Sequence, residues 1–233
     1  MTDLFPTFDT LIVLDTETTG VNAMHDEIIE LGAVRLRRDG AEFVPDAELS
    51  CLIQLPTGWT VPPVIERITG ISQAMLDSEG VGRREAAERL RDFLTAPNTL
   101  CIAYNAQFDL SFLYYFLARF GFAACLRGLK FLDALTVYRD RRPYPHRLEN
   151  AIEAYALGET AVNSHRAIDD AKATVCLLEA MAQERNDLQS YVNLFGFNAR
   201  YGVSGKPIGS ITYCAQPYDD HPPLYELAGR VPV

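Results

Sequence analysis

Four consecutive apolar residues, Leu11, Ile12, Val13 and Leu14, break off at Asp-Thr-Glu-Thr-Thr-Gly, residues 15–20. A short run with β-branched members that ends in a glycine turn predicts a buried strand. Residues 26–38 then move toward alternation, with Val34 and Leu36 opposed to Ala33, Arg35 and Arg37. Asp39-Gly40 is a hairpin signal, and residues 42–55 read as the return strand. The chain is expected to begin with a three-stranded meander. Helical periodicity takes over afterwards. Pro62-Pro63 opens a short helix over 64–68 that Gly70 ends. Residues 83–94 put Ala87, Leu90, Phe93 and Leu94 on one side and charges on the other. A turn at Ala96-Pro97-Asn98 leads to a fourth strand over 99–104, a strongly apolar helix over 107–120 and a fifth strand over 129–132. Two more helices follow over 146–156 and 166–183. Strands first, then strand and helix in alternation, predict an α/β fold with a mixed sheet and helices on its faces.

Past residue 183 the composition shifts. Residues 191–213 are rich in Gly, Asn and Tyr, and the end is Pro-rich. A main domain over 1–184 is expected, with a tail over 185–233 made of turns and a small hairpin and packed on the domain. Gly205-Lys206 does not make a phosphate loop, because Arg200 stands where the first Gly is required and Pro207 follows the Lys.

Composition narrows the class only slightly. With 233 residues, 48% hydrophobic and 22% charged, the chain is ordinary globular material. The start, MTDLFPTFDT, lacks the basic end and apolar run of a signal peptide. Residues 110–126, the most apolar stretch, are too short for a bilayer and carry Arg119, so no membrane partner is expected. Five scattered cysteines without a CxxC read as reduced thiols of a cytoplasmic protein. The net charge of -10 matters more. Such a chain has no overall pull on nucleic acid, so any nucleic-acid site must be local. The best basic cluster is Arg139, Arg141, Arg142 and Arg147, read either as phosphate contacts or as a solvated loop.

The acids carry the chemistry. Asp15 and Glu17 are two apart at a strand end and leave on one face. Like charges about 4 Å apart repel by about 4 kcal/mol at an effective dielectric near 20. A divalent ion with oxygen ligands relieves that repulsion. The other reading is an acidic turn bonded to its own backbone. Asp109 repeats the anomaly on the apolar helix that Asn105 is expected to cap. It lies three and four residues before Phe112 and Leu113, on the apolar side. A charge there needs a partner or a metal, or else serves the helix N-terminus. On the last helix Ala167, Ala171, Thr174, Leu178 and Met181 trace the inward stripe. Asp170 falls beside that stripe, whereas Asp169 falls outside with Lys172, where it can pair with Lys172 or Arg166. His165 stands just before this helix, one of four histidines in the chain. Four carboxylates and one histidine fit two-metal hydrolysis of a phosphodiester, with the histidine taking the proton of the attacking water.

DTETTG, YNAQFDLSFL and HRAIDDAKAT resemble the three motifs of the DEDDh 3′–5′ exonucleases, in order and over residues 11–182. That family includes the epsilon proofreading subunit of bacterial replicative polymerases, ribonuclease T and oligoribonuclease. The resemblance implies a ribonuclease-H-like five-stranded sheet whose second strand is antiparallel. It implies Asp15, Glu17, Asp109 and Asp170 as ligands of two divalent ions, Mg²⁺ or Mn²⁺, and His165 as general base. The implied substrate is the 3′ end of single-stranded nucleic acid, and the implied partner is a DNA polymerase catalytic subunit. IIELGAV and ITGIS are similar to further family segments and make Thr18, Ile71 and Phe108 candidate contacts to the terminal nucleotide. The chain departs from the family in Tyr104 and Thr69, where His is common, and Tyr104 is expected to wall the nucleotide pocket. DNA is the expected substrate. An exoribonuclease and a non-catalytic polymerase accessory module are the alternatives; loss of a ligand would mark the latter, and none is lost. An Asp-x-Asp phosphatase of the haloacid dehalogenase type is a further rival, but its second acid is Glu here and it gives His165 no role.

Overall fold

In a computed structural model, which describes residues 1–196 and 214–216, a five-stranded sheet forms the centre. Its strands are β1 (Thr10–Thr18), β2 (Ile28–Asp39), β3 (Glu42–Leu52), β4 (Thr99–Ala103) and β5 (Lys130–Asp133). The spatial order is β3-β2-β1-β4-β5. β2 is antiparallel to both β1 and β3, while β1, β4 and β5 are mutually parallel. Only β2 therefore runs against the others, as expected. Alternation sends the two faces of each strand into different cores. Leu11 and Val13 of β1 pack with α5 (Ala134–Arg141), α6 (Leu148–Ala154) and α7 (Ala167–Glu184). Ile12 and Leu14 pack on the other face with α3 (Arg83–Leu94) and α4 (Ala106–Arg119). A third cluster of Ile29, Leu52, Val61, Ile71 and Leu76 lies beneath α1 (Pro63–Thr69) and α2 (Gln73–Glu79).

The meander, α3, α4 and α7 lie where the periodicity puts them. β1 runs further than its apolar run, through both acids. α6 is shorter than expected, at Leu148–Ala154. Two helices have no counterpart in the sequence reading. α2 is seven residues long and capped by Ser72, whose hydroxyl accepts from Met75 N at 3.2 Å. α5 follows β5 without a loop and is capped by Asp133. β6 (Leu194–Gly196) and β7 (Cys214–Gln216) pair in parallel, and the small hairpin expected over 191–213 falls mostly outside the described residues. Residues 197–213 and 217–233, Arg200 to Pro207 included, lie outside the described residues. Just ahead of that part, Leu188, Tyr191, Val192 and Leu194 are buried in the first core, and Phe195 packs edge-on to Phe131. Among the described residues no helix is long and apolar enough to cross a membrane.

Candidate active site

The site forms at the carboxyl end of β1. Asp15 pairs in register with Gly32 and Glu17 with Glu30, so both acids and Glu30 share the α7 face. The register shifts between Glu17 and Thr18, the kind of irregularity that re-aims side chains beside a site. Gly32 sets the distance to α7. A Cβ there would lie 2.2 Å from the carbonyl carbon of Ala167, so only glycine lets the helix approach this closely. That approach brings Asp170 to the strand. One carboxylate oxygen each from Asp15, Glu17 and Asp170 lies within 4.8 Å of the other two.

Asp109 comes from the opposite layer, on α4, and is 2% exposed. Its Oδ1 accepts from the Thr16 hydroxyl at 2.8 Å, and Thr16 is the residue between the two acids of β1. The start of α4 is fixed from outside. Asp133 is fully buried, and its Oδ1 accepts from the backbone N–H groups of Asn105 and Ala106 at 2.9 and 3.1 Å. Its Oδ2 accepts from Thr136 at 2.7 Å. Asn105 does stand at the N-cap position, but in a left-handed conformation and without a side-chain cap bond. Asp133 does the capping that the sequence assigns to Asn105.

α7 is fixed in the same way. Glu30, 1% exposed, accepts from Arg166 Nη2 at 2.7 Å and from the backbone N–H of Ala167 at 2.9 Å. Neither Glu30 nor Asp133 is singled out by the sequence reading. The signal was present only for Glu30, a carboxylate inside the apolar segment IIELGAV. Asp169 turns outward as expected, but it accepts from Ser164 at 2.6 Å, while Lys172 pairs with Glu48 and Arg166 with Glu30. His165 is exposed and held at a φ of 55°, a left-handed conformation rare for a residue with a side chain. Asp15, Tyr104, Arg147, Glu149, His165 and Asp170 together line a cavity of about 270 Å³.

Crowding shows in the acidities. Burial raises Asp15 well above the usual carboxylate range, and Asp109, Glu17, Asp170 and Glu30 push it further. Burial, then Asp170, Glu30 and Asp109, lifts Glu17 to about 8. Burial lifts Asp170 to about 6 against the pull of His165. Burial also raises Asp109, with the Thr16 hydrogen bond opposing it. Asp170 Oδ1 is buried without a hydrogen-bond partner. A buried anion oxygen without a donor is costly unless a cation takes it. The donor set is all carboxylate oxygen, which suits a hard divalent ion.

The candidate nucleotide contacts divide. Tyr104 lines the cavity, and its hydroxyl donates to the carbonyl of His146 at 2.8 Å. Phe108 is partly buried against Phe112 at 4.8 Å between ring centroids. Thr18 is 7% exposed and donates to Gly20 O at 2.6 Å. Ile71 is fully buried in the third core. Neighbouring Ile68, 50% exposed, is the apolar group this turn presents. The basic cluster also divides. The Arg141 side chain is 3% exposed and bonds Asp187 and the carbonyls of Met181 and Arg185, so it ties α5 to the end of α7. Arg142 pairs with Glu184 at 2.8 Å. Neither is placed to hold a phosphate, and of the four only Arg147 lines the cavity.

The sequence model of the Exonuclease family matches residues 12–178. The chain is similar to a DNA polymerase III of PolC type from Oceanobacillus iheyensis, 32% identical over 95% of this chain and 15% of the relative. It is similar to the 3′-5′ exonuclease DinG of Staphylococcus aureus, 29% identical over 72% of this chain and 18% of that protein. The chain thus spans less than a fifth of the length of these relatives. Its backbone matches the crystal structure of E. coli exonuclease I in complex with a dT13 oligonucleotide with a TM-score of 0.69. That match has 21% identity and covers 78% of this chain and 43% of the other. It bears out the fold expected above.

Proposed function

The chain belongs to the Exonuclease family, and from that premise we propose that it removes nucleotides from the 3′ end of single-stranded nucleic acid, DNA in preference to RNA. The observation that carries the reading is the carboxylate cluster at the end of β1, with Asp170 Oδ1 buried and unpartnered. The direction is supported by the similarity to a named 3′-5′ exonuclease, and the single strand by the oligonucleotide in the exonuclease I structure.

Asp15, Glu17, Asp109 and Asp170 would hold two divalent ions, Mg²⁺ or Mn²⁺. Bound there, the ions would supply an acidified water and offset charge on the phosphate and the leaving oxygen. Thr16 orients the Asp109 carboxylate, and Glu30 and Asp133 set the two helices that bring acids to the strand. His165, exposed beside the cavity, takes the proton of the water that attacks the terminal phosphodiester. The P–O3′ bond breaks, the terminal nucleotide leaves with a 5′-phosphate, and the released O3′ takes a proton from water to become the new 3′ hydroxyl of the shortened strand. Tyr104 and Phe108 give aromatic surface for the terminal base or sugar.

We further infer that the chain works with a DNA polymerase catalytic subunit as a proofreader in the cytoplasm, which the PolC-type relatives favour. The test is release of mononucleotides from single-stranded DNA and RNA oligonucleotides with Mg²⁺, with Mn²⁺ and with chelator. Metal-dependent release, faster from DNA, is the expected result. Faster release from RNA makes the protein an exoribonuclease, and binding without release makes it a non-catalytic module.

A further inference from the structure

We propose that Arg147 is the phosphate anchor of the cleft and that Glu149 holds its guanidinium until a strand enters. The inference rests on the exonuclease reading and names the group with which this chain grips its substrate. A phosphodiester that enters the cavity meets a lining that includes the acids Asp15, Asp170 and Glu149. A polyanion is repelled by such a lining unless a fixed cation offsets it. Among the described residues lining the cavity, Arg147 is the sole Lys or Arg. Its planar fork of donors matches two phosphate oxygens.

Arg147 is also held for that task. Its backbone is the N-cap of α6, and its N–H donates to Asn150 Oδ1 at 3.1 Å. The residue before it is tied to the cavity wall, since His146 O accepts from Tyr104. The root of the side chain is thus fixed, while the side chain itself is 83% exposed. The guanidinium pairs with Glu149 Oε1 at 3.4 Å, and Glu149 is 57% exposed. Pairs this open in water are weak and exchange partners readily. A phosphate therefore displaces Glu149 at little cost. The contrast with Arg141, buried and bonded on several sides, marks Arg147 as the available cation.

The test is binding of a fluorescent single-stranded oligonucleotide across a salt series, with Ca²⁺ replacing Mg²⁺ to suppress cleavage. Arg147→Ala is expected to weaken binding about tenfold, the scale of a hydrogen bond to a charged group. It should also flatten the dependence of log affinity on log salt by about 0.7, one phosphate on a single strand. Arg147→Lys should keep the slope. Glu149→Gln should tighten binding about twofold in the wild type and by less in Arg147→Ala, where only its own repulsion of the strand is relieved. Unchanged affinity and slope in Arg147→Ala overturn the proposal, as does a Glu149→Gln effect that is undiminished without Arg147. Both side chains are exposed, so melting temperatures should match the wild type and exclude misfolding. Cleavage by the wild type in Mg²⁺ separates the outcomes: if it cleaves and the binding results fail, the anchor falls and the exonuclease reading stands.

Discussion

Gly32 on β2 and Ala167 on α7 lie so close that a single added methyl group at Gly32 would overlap the Ala167 backbone, at 2.2 Å. Sheet and helix meet there because no side chain intervenes, and the contact sits one turn from Asp170. Gly32→Ala should therefore cost about 1–3 kcal/mol through overpacking. Activity should fall further than stability does, because relief of the clash moves Asp170 away from Asp15. Denaturant midpoints and turnover of the folded variant measure the two losses. Full turnover would show that the spacing of α7 does not matter.

Asp170→Asn should abolish hydrolysis, and Asp169→Asn should leave it near wild type. Asp170 is 7% exposed against the cluster, whereas Asp169 turns outward to Ser164. Removal of one charge also relieves repulsion, so metal-free Asp170→Asn should be as stable as the wild type or more so. Activity in Asp170→Asn beside a dead Asp169→Asn would reverse the assignment.

The raised acidities predict how stability depends on pH. A carboxyl group whose folded pKa is raised binds more protons folded than unfolded. Its contribution is therefore complete below about pH 4, its unfolded range, and is lost as pH climbs through the folded value. Asp170 at about 6 and Glu17 at about 8 mark the window. The melting temperature of chelator-treated protein should fall between pH 5 and pH 8.5, and Mg²⁺ or Mn²⁺ should restore it at the upper end. Asp170→Asn should flatten the fall. A metal-free protein whose stability rises through this window would mean that the cluster is not under electrostatic stress.

His165→Ala should reduce turnover about 10²–10⁴-fold, the usual worth of a general base, while Mn²⁺ binding is largely retained. Near-normal turnover in the variant would place the base elsewhere.

Residues that contribute through periodicity were legible in the sequence, and those that contribute through long-range contact were not. Alternation along 26–38 and the stripe Ala167, Ala171, Thr174 are local patterns, and they led to β2 and to the inward turn of Asp170. Asp133 and Glu30 act on backbone donors 27 and 137 residues away, which no local window contains. Arg141 was misread for the same reason: four arginines close in sequence look like one basic surface until the end of α7 folds over one of them. Ile71 follows a turn whose exposed apolar group is Ile68, three residues earlier, and only the third core shows which of the two is buried.

The claim that the carboxylates at the end of β1 form the centre of a 3′–5′ exonuclease is tested most directly by a time course on a 5′-labelled single-stranded oligonucleotide in Mg²⁺. The wild type should give a ladder that shortens one nucleotide at a time from the 3′ end, and Asp15→Asn and chelated wild type should give none. Immediate release of the label as a mononucleotide, internal cuts without a ladder, or equal laddering by Asp15→Asn would contradict the account.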